Sequence, residues 1–173
     1  MKANDLTRTA LMAAVLCVLA PISVPVGSAA LSLATFVLYL MAYILKPRQT
    51  IAAVGIYLLL GAAGLPVFAG FLGGISRFAS PVGGYLIGYL FAAGIGAWFV
   101  QKYARISLQF FGLFLATLFL YLFGTLWMAY TTDISFLTAL QTGAMVFLPF
   151  DVIKILLAAY LGRNIQKHIK RSL

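Results

Sequence analysis

Long apolar blocks, separated by short breaks rich in glycine, proline or basic residues, follow one another along nearly the whole chain. Apolar length and breakers predict helices at about residues 9–26, 29–45, 50–69, 82–100 and 107–130, with a sixth hydrophobic region at about 136–163. The pattern predicts an all-α integral membrane protein with six transmembrane helices. Pro21 and Pro25 interrupt the first block and similar blocks follow it, so it reads as a retained helix rather than a signal peptide. The last region admits one long helix kinked at Pro149, or a short interfacial segment followed by a helix that starts there. The second is expected, because proline is tolerated at a first helical position and an acid such as Asp151 suits the exposed N–H groups of a first turn.

Composition narrows the class. With 173 residues, 64% of them hydrophobic and 9% charged, the chain cannot hide its apolar side chains in one small soluble core. Residues 1–173 are expected to form a single transmembrane substrate-binding domain, with no room for a soluble catalytic or nucleotide-binding domain. The formal net charge of +9 does not point to nucleic acid, since the basic residues fall in short clusters between apolar blocks instead of along one face. Six crossings put both termini on the same side as Lys2, Arg8, Lys46, Arg48, Lys102, Arg105, Arg163, Lys167, Lys170 and Arg171. Positive residues favour the cytoplasm, so both termini are expected there, and membrane lipids are expected around the helices. Trp98, Trp127 and most tyrosines fall near predicted interfaces and read as an aromatic belt. Cys17 is the single cysteine, which excludes an internal disulfide and reads as a small buried apolar residue.

The polar inventory is poor in catalytic material. There is no Glu, His168 is the single histidine, and Asp5, Asp133 and Asp151 are the three acids. A serine hydrolase would lack its intramembrane histidine, a zinc protease its His-Glu-x-x-His run, and an ATPase its glycine-rich phosphate loop. No enzyme, metal or cofactor is expected, and any ATP used on this chain's behalf must be hydrolysed by another polypeptide.

One pair stands out within the apolar background. In Leu148-Pro-Phe-Asp151-Val-Ile-Lys154 an acid and a base lie three residues apart, on one helix face. A single charge at mid-bilayer costs roughly 2.5–3.5 kcal/mol on insertion scales, so the pair either neutralises itself along the helix or serves a ligand. Arg77 is the basic residue on the side opposite the basic clusters, in a loop where Gly70, Gly73 and Gly74 permit a tight fold over a cavity. It reads either as part of that cavity or as an ordinary solvated turn residue. Asp151, Lys154 and Arg77 together carry one net positive charge among apolar and aromatic residues, which suits a small amphipathic anion. Gly83, Gly84, Gly88, Gly94 and Gly96 permit close helix approach, and Ala10, Ala13 and Ala14 form a small-residue face on the first helix.

Four segments carry a family resemblance: Leu45-Lys-Pro-Arg48, Tyr57-Leu-Leu-Leu-Gly-Ala-Ala-Gly-Leu-Pro-Val-Phe68, the glycine loop leading into Ser80-Pro-Val-Gly-Gly-Tyr-Leu86, and Leu148-Pro-Phe-Asp-Val-Ile-Lys154. The combination resembles the BioY family, the biotin-binding membrane subunits of energy-coupling factor (ECF) vitamin transporters. The resemblance implies a six-helix S component in a prokaryotic plasma membrane. Such a subunit captures biotin from outside and delivers it with a transmembrane coupling subunit and two cytoplasmic ATPases. It further implies that Asp151 and Lys154 contribute to biotin binding and that Ala10 and Ala14 dock the coupling subunit; Arg77, Tyr85, Ser80 and Phe68 are the further candidate binding residues. The sequence departs from the family's common pattern at Val82, where a threonine is usual, at Phe150, where a glycine is usual, and over Val26–Leu33, usually more polar. An S component for another small carboxylate vitamin, or a membrane scaffold that transports nothing, are the alternatives.

Overall fold

The computed structural model describes residues 3–26 and 29–171. Lys2, counted above among the basic residues, lies outside them. Helix α1 (Ala3–Leu19) is followed by strands β1 (Ser23–Val26) and β2 (Ala29–Ser32), then α2 (Ala34–Ile44), α3 (Pro47–Ala62) and the single turn α4 (Ser76–Ala79). The long helices α5 (Gly83–Lys102) and α6 (Ile106–Thr132) precede α7 (Phe136–Leu140), a π-helical segment (Gln141–Met145) and α8 (Leu148–Arg171).

The first block is not the single helix that its apolar length predicts. Helix α1 stops at Leu19, and β1 and β2 pair antiparallel with Ser23 opposite Ser32 and Val24 opposite Leu31. Proline at positions 21 and 25 removes N–H donors that a helix needs, whereas a two-stranded ribbon tolerates Pro25 because both of its strands are edges. Ser32 closes the motif: its hydroxyl donates to the Ala20 carbonyl at 2.6 Å and accepts the Ala34 N–H at 3.0 Å, tying the end of α1 to the start of α2.

Three helical stretches, Gly83–Lys102, Ile106–Thr132 and Phe136–His168, are long and apolar enough to cross a membrane. Helix α2 is apolar but has 11 residues. At about 1.5 Å per residue it falls short of a hydrocarbon core about 30 Å thick. The missing length was spent on the hairpin.

In the last region α8 begins at Leu148, which puts Pro149 and Asp151 in its first turn as expected, and the segment before it is helical too: α7 and a π-helical segment at Gln141–Met145 lead into α8. Pro149 cannot donate to the Met145 carbonyl, so the extra residue in the preceding turns absorbs the mismatch. The Asp151 N–H already donates to the Phe147 carbonyl at 3.0 Å.

Helices α5 and α6 pack along their length, with Gly84 and Gly88 admitting Trp127 and Leu120. Helix α2 lies against α8 and α5, and the core is continuous through α1, α2, α3, α5, α6 and α8. Buried polar links join the helices: Tyr39 and Thr117 share a hydrogen bond of 2.6 Å, and the Gln101 amide donates to the carbonyls of Ala42 at 3.0 Å and Leu45 at 3.3 Å. At the end remote from the hairpin, Arg163 donates to the Ala104 carbonyl at 2.6 Å and to Gln109 at 3.2 Å, which brings α8 to the α5–α6 turn. Not all the tyrosines lie at the surface. Tyr39, Tyr43 and Tyr57 are fully buried, and Cys17 is half-buried.

Candidate functional site

A cavity of about 250 Å³ lies between the hairpin, α2, α3, the segment that joins α3 to α5, α5, α6 and the Phe136–His168 helix. The joining segment takes its shape from left-handed residues: φ is +103° at Gly64, +74° at Gly70 and +98° at Gly74. The Gly74 N–H reaches the Gly61 carbonyl at 2.7 Å, and the Gly70 N–H reaches the Pro21 carbonyl at 3.0 Å. These bonds fasten the segment to the end of α3 and to the turn after α1, and they bring Phe68, Ala69, Leu72 and Arg77 into the cavity wall.

Asp151 and Lys154 stand together in that wall. Their Nζ–Oδ1 separation is 2.9 Å, and Asp151 is 2% exposed. The carboxylate is fully engaged on its inner side. Thr35 donates to Oδ1 at 2.8 Å, Lys154 donates to the same oxygen at 2.9 Å, and Tyr121 donates to Oδ2 at 2.5 Å. The ammonium is also full, since its other two protons go to the Ser32 carbonyl at 2.7 Å and the Thr35 hydroxyl at 2.9 Å. A buried charge needs such partners, because leaving it unpaired costs several kcal/mol, on the order of the desolvation penalty itself.

Arg77 contrasts with Lys154. Carried on the α4 turn and half-buried in the same wall, it makes no side-chain hydrogen bond or ion pair among the described residues. The cavity thus holds one neutralised pair and one free guanidinium. Aromatic walls complete it: Phe68 meets Tyr57 and Phe78 edge-on at ring separations of 5.5 and 5.9 Å, and Tyr85, Tyr89 and Phe147 face the same space.

Of the residues singled out by sequence, Asp151, Lys154, Arg77, Tyr85 and Phe68 line the cavity. Ser80 does not; its hydroxyl donates to the Arg77 carbonyl at 2.7 Å, and its own carbonyl accepts the Trp127 indole N–H at 3.0 Å. It shapes the turn that carries Arg77. Val82 is in the wall, whereas Phe150 is 46% exposed and is not among the residues that line the cavity. Ala10 and Ala14 are exposed on α1, but Ala13 is 2% exposed and belongs to the core.

Sequence reasoning missed Thr35 and Tyr121. A signal was present for each. Thr35 interrupts an otherwise apolar helix, and Thr117, Tyr121 and Thr125 recur every fourth residue along α6, a polar stripe within a greasy span.

Helices long enough to span a bilayer, packed around a cavity that holds a fixed ion pair and a cation unpartnered among the described residues, define a multi-pass membrane protein with an internal cavity. The chain belongs to the BioY family, whose sequence profile matches residues 1–171. Among its relatives, "Biotin transporter BioY" of Rhizobium etli is 37% identical over 180 residues, covering 95% of this chain and 94% of that protein. "Biotin transporter BioY2" of Lactococcus lactis is 34% identical over 163 residues, covering 93% and 89%. The fold is also similar to a crystal structure of the S-component for biotin from an ECF-type ABC transporter, with a TM-score of 0.89 and 28% identity over 96% of this chain and 92% of that one.

Proposed function

We propose that this chain is the biotin-capturing S component of an ECF-type ABC transporter in a prokaryotic plasma membrane. The observation that carries the reading is the juxtaposition of an Asp151–Lys154 ion pair, its ammonium protons all in use, and an Arg77 unpartnered among the described residues in one aromatic-walled cavity. Biotin has a carboxylate, a ureido ring with two N–H donors, and an apolar ring and chain. All three ammonium protons of Lys154 are in use, so Arg77 takes the carboxylate. Asp151 Oδ2, with one hydrogen bond of its own, keeps a lone pair for a ureido N–H. Phe68, Tyr85 and Tyr89 enclose the apolar part. The single net positive charge of the site meets the single negative charge of the guest.

Capture is the whole of this chain's task in the reading. It works as one domain with six crossings and both termini in the cytoplasm. A transmembrane coupling subunit and two ATPases supply the energy, and Ala10 and Ala14 on the exposed side of α1 offer the coupling subunit a close helix contact.

The test is purification without added ligand, mass spectrometry of what travels with the protein, and titration with biotin, lipoate and riboflavin. Retention of biotin and preference for it support the reading. Tighter binding of lipoate or riboflavin assigns the cavity to another vitamin, and binding of none of the three leaves a scaffold.

A further inference from the structure

We propose that Tyr121 and Thr35 are positioning residues that hold the Asp151 carboxylate in a single orientation, as an anionic acceptor aimed into the cavity. The inference rests on the biotin-capture reading and assigns a role to two residues that the family's sequence motifs did not single out.

The geometry gives the two oxygens of Asp151 different surroundings. Oδ1 accepts from Thr35 at 2.8 Å and from Lys154 at 2.9 Å, which fills both of its lone pairs. Oδ2 accepts from Tyr121 at 2.5 Å and from no other described residue. One acceptor site is left over, and it lies on the oxygen that Tyr121 fixes. Lys154 alone neutralises the charge but holds only Oδ1. Without the phenol hydroxyl, Oδ2 has no partner among the described residues. The carboxylate is then free to turn, and that turn removes the acceptor a ligand N–H requires.

Thr35 has one hydroxyl proton and two neighbours. An ammonium can only donate, so Thr35 accepts from Lys154 and spends its own proton on Asp151. That order leaves no alternative arrangement of the three groups, and it fixes Oδ1 while Tyr121 fixes Oδ2.

The Tyr121 side chain has one polar direction available. Its ring separates the cavity from an apolar groove on the outer side of α6 and the π-helical segment, lined by Leu118, Leu140 and Leu148 among others. The remaining tyrosines near the site do not share the task. Tyr39 pairs with Thr117 and Tyr85 donates to the Gly143 carbonyl, while Tyr57 and Tyr89 make no side-chain hydrogen bond among the described residues.

The test uses the purified full chain in a carboxylate-free detergent, with biotin as the probe. Tyr121→Phe and Thr35→Val should each weaken binding by about tenfold, the lower end of what a hydrogen bond to a charged group contributes, and Thr35→Ser should restore it. Infrared spectroscopy reads the mechanism directly. The chain has three aspartates and no glutamate, so the Asp151 carboxylate band can be found by subtracting the Asp151→Asn spectrum. In Tyr121→Phe that band should shift. Thermal melts confirm that each variant is folded. Wild-type affinity in Tyr121→Phe overturns the inference, as does weakened binding with an unmoved Asp151 band, and failure of Thr35→Ser to restore affinity removes Thr35 from it. Absence of biotin binding by the wild-type chain sinks the biotin reading itself, and the inference with it.

Discussion

Lys154 Nζ lies 2.7 Å from the carbonyl oxygen of Ser32, a residue 122 positions earlier in the chain. The ammonium that neutralises Asp151 thus also fastens the last residue of the hairpin to α8. Replacing it with an apolar side chain removes both attachments at once and strands a carboxylate that is 2% exposed. Lys154→Met should lower stability by about 3–5 kcal/mol, the usual cost of removing one partner of a buried pair. The double variant Asp151→Asn with Lys154→Met should recover most of that loss without recovering biotin binding. Thermal unfolding in detergent reads the first effect and ligand titration the second; a single variant as stable as wild type shows that the pair holds nothing together.

Arg77 is the opposite case. With no hydrogen bond or ion pair of its own among the described residues, its charge can be removed without orphaning a partner. Arg77→Met should melt within about 0.5 kcal/mol of wild type, as a substitution away from any network does. Its affinity for biotin should fall roughly ten- to a hundredfold, the value of a charge-assisted contact. Arg77→Lys should restore little of the loss, since an ammonium lacks the planar fork that grips a carboxylate at two points. Stability and affinity falling together would instead make Arg77 a structural residue.

The π-helical segment is held from across the cavity. The Tyr85 hydroxyl donates to the Gly143 carbonyl at 2.8 Å, and its ring fills the space left by the missing side chain of Gly124. A Cβ on Gly143 would collide with the same hydroxyl. Gly143→Ala should therefore cost about 1–3 kcal/mol through overpacking. Tyr85→Phe alone should cost about 1 kcal/mol for one hydrogen bond. Combining the two should cost less than their sum, because removing the hydroxyl removes the atom struck. Strict additivity in melting experiments would mean that the two residues do not meet.

What could be read from the sequence follows from the length scale of each signal. Membrane residence and the helices at Gly83–Lys102 and Ile106–Thr132 came from long apolar runs bounded by clear breakers. Asp151, Lys154 and Arg77 were visible because a charge is conspicuous in such a background. The hairpin was not, because Ser23–Val26 and Ala29–Ser32 are as apolar as the helix they replace, and periodicity cannot separate a strand from a helix over four residues. Thr35 and Tyr121 were passed over for a different reason. Their role exists only once α2 and α6 are brought to the same carboxylate, over separations of 116 and 30 residues. Ser80 was misjudged by proximity, standing beside the site in sequence while its hydroxyl turns back to the backbone.

Membrane orientation can be tested with the chain's own thiol removed. The proposed six crossings with cytoplasmic termini would put the hairpin, the glycine loop and the α6–α7 turn outside, and the α2–α3 and α5–α6 turns inside. The basic side chains agree, with Lys46, Arg48, Lys102 and Arg105 all on the inner turns and Arg77 alone on the outer ones. In a Cys17→Ser background, Ile75→Cys, at a position 70% exposed on the glycine loop, should react with a membrane-impermeant maleimide in intact cells. Ile134→Cys, at the α6–α7 turn, should do the same. Arg48→Cys and Arg105→Cys should stay unlabelled until the membrane is permeabilised. Labelling of all four in sealed cells, or the reverse pattern, would overturn the orientation and with it capture of the ligand from outside, because the cavity and the hairpin that walls it would then face the wrong compartment.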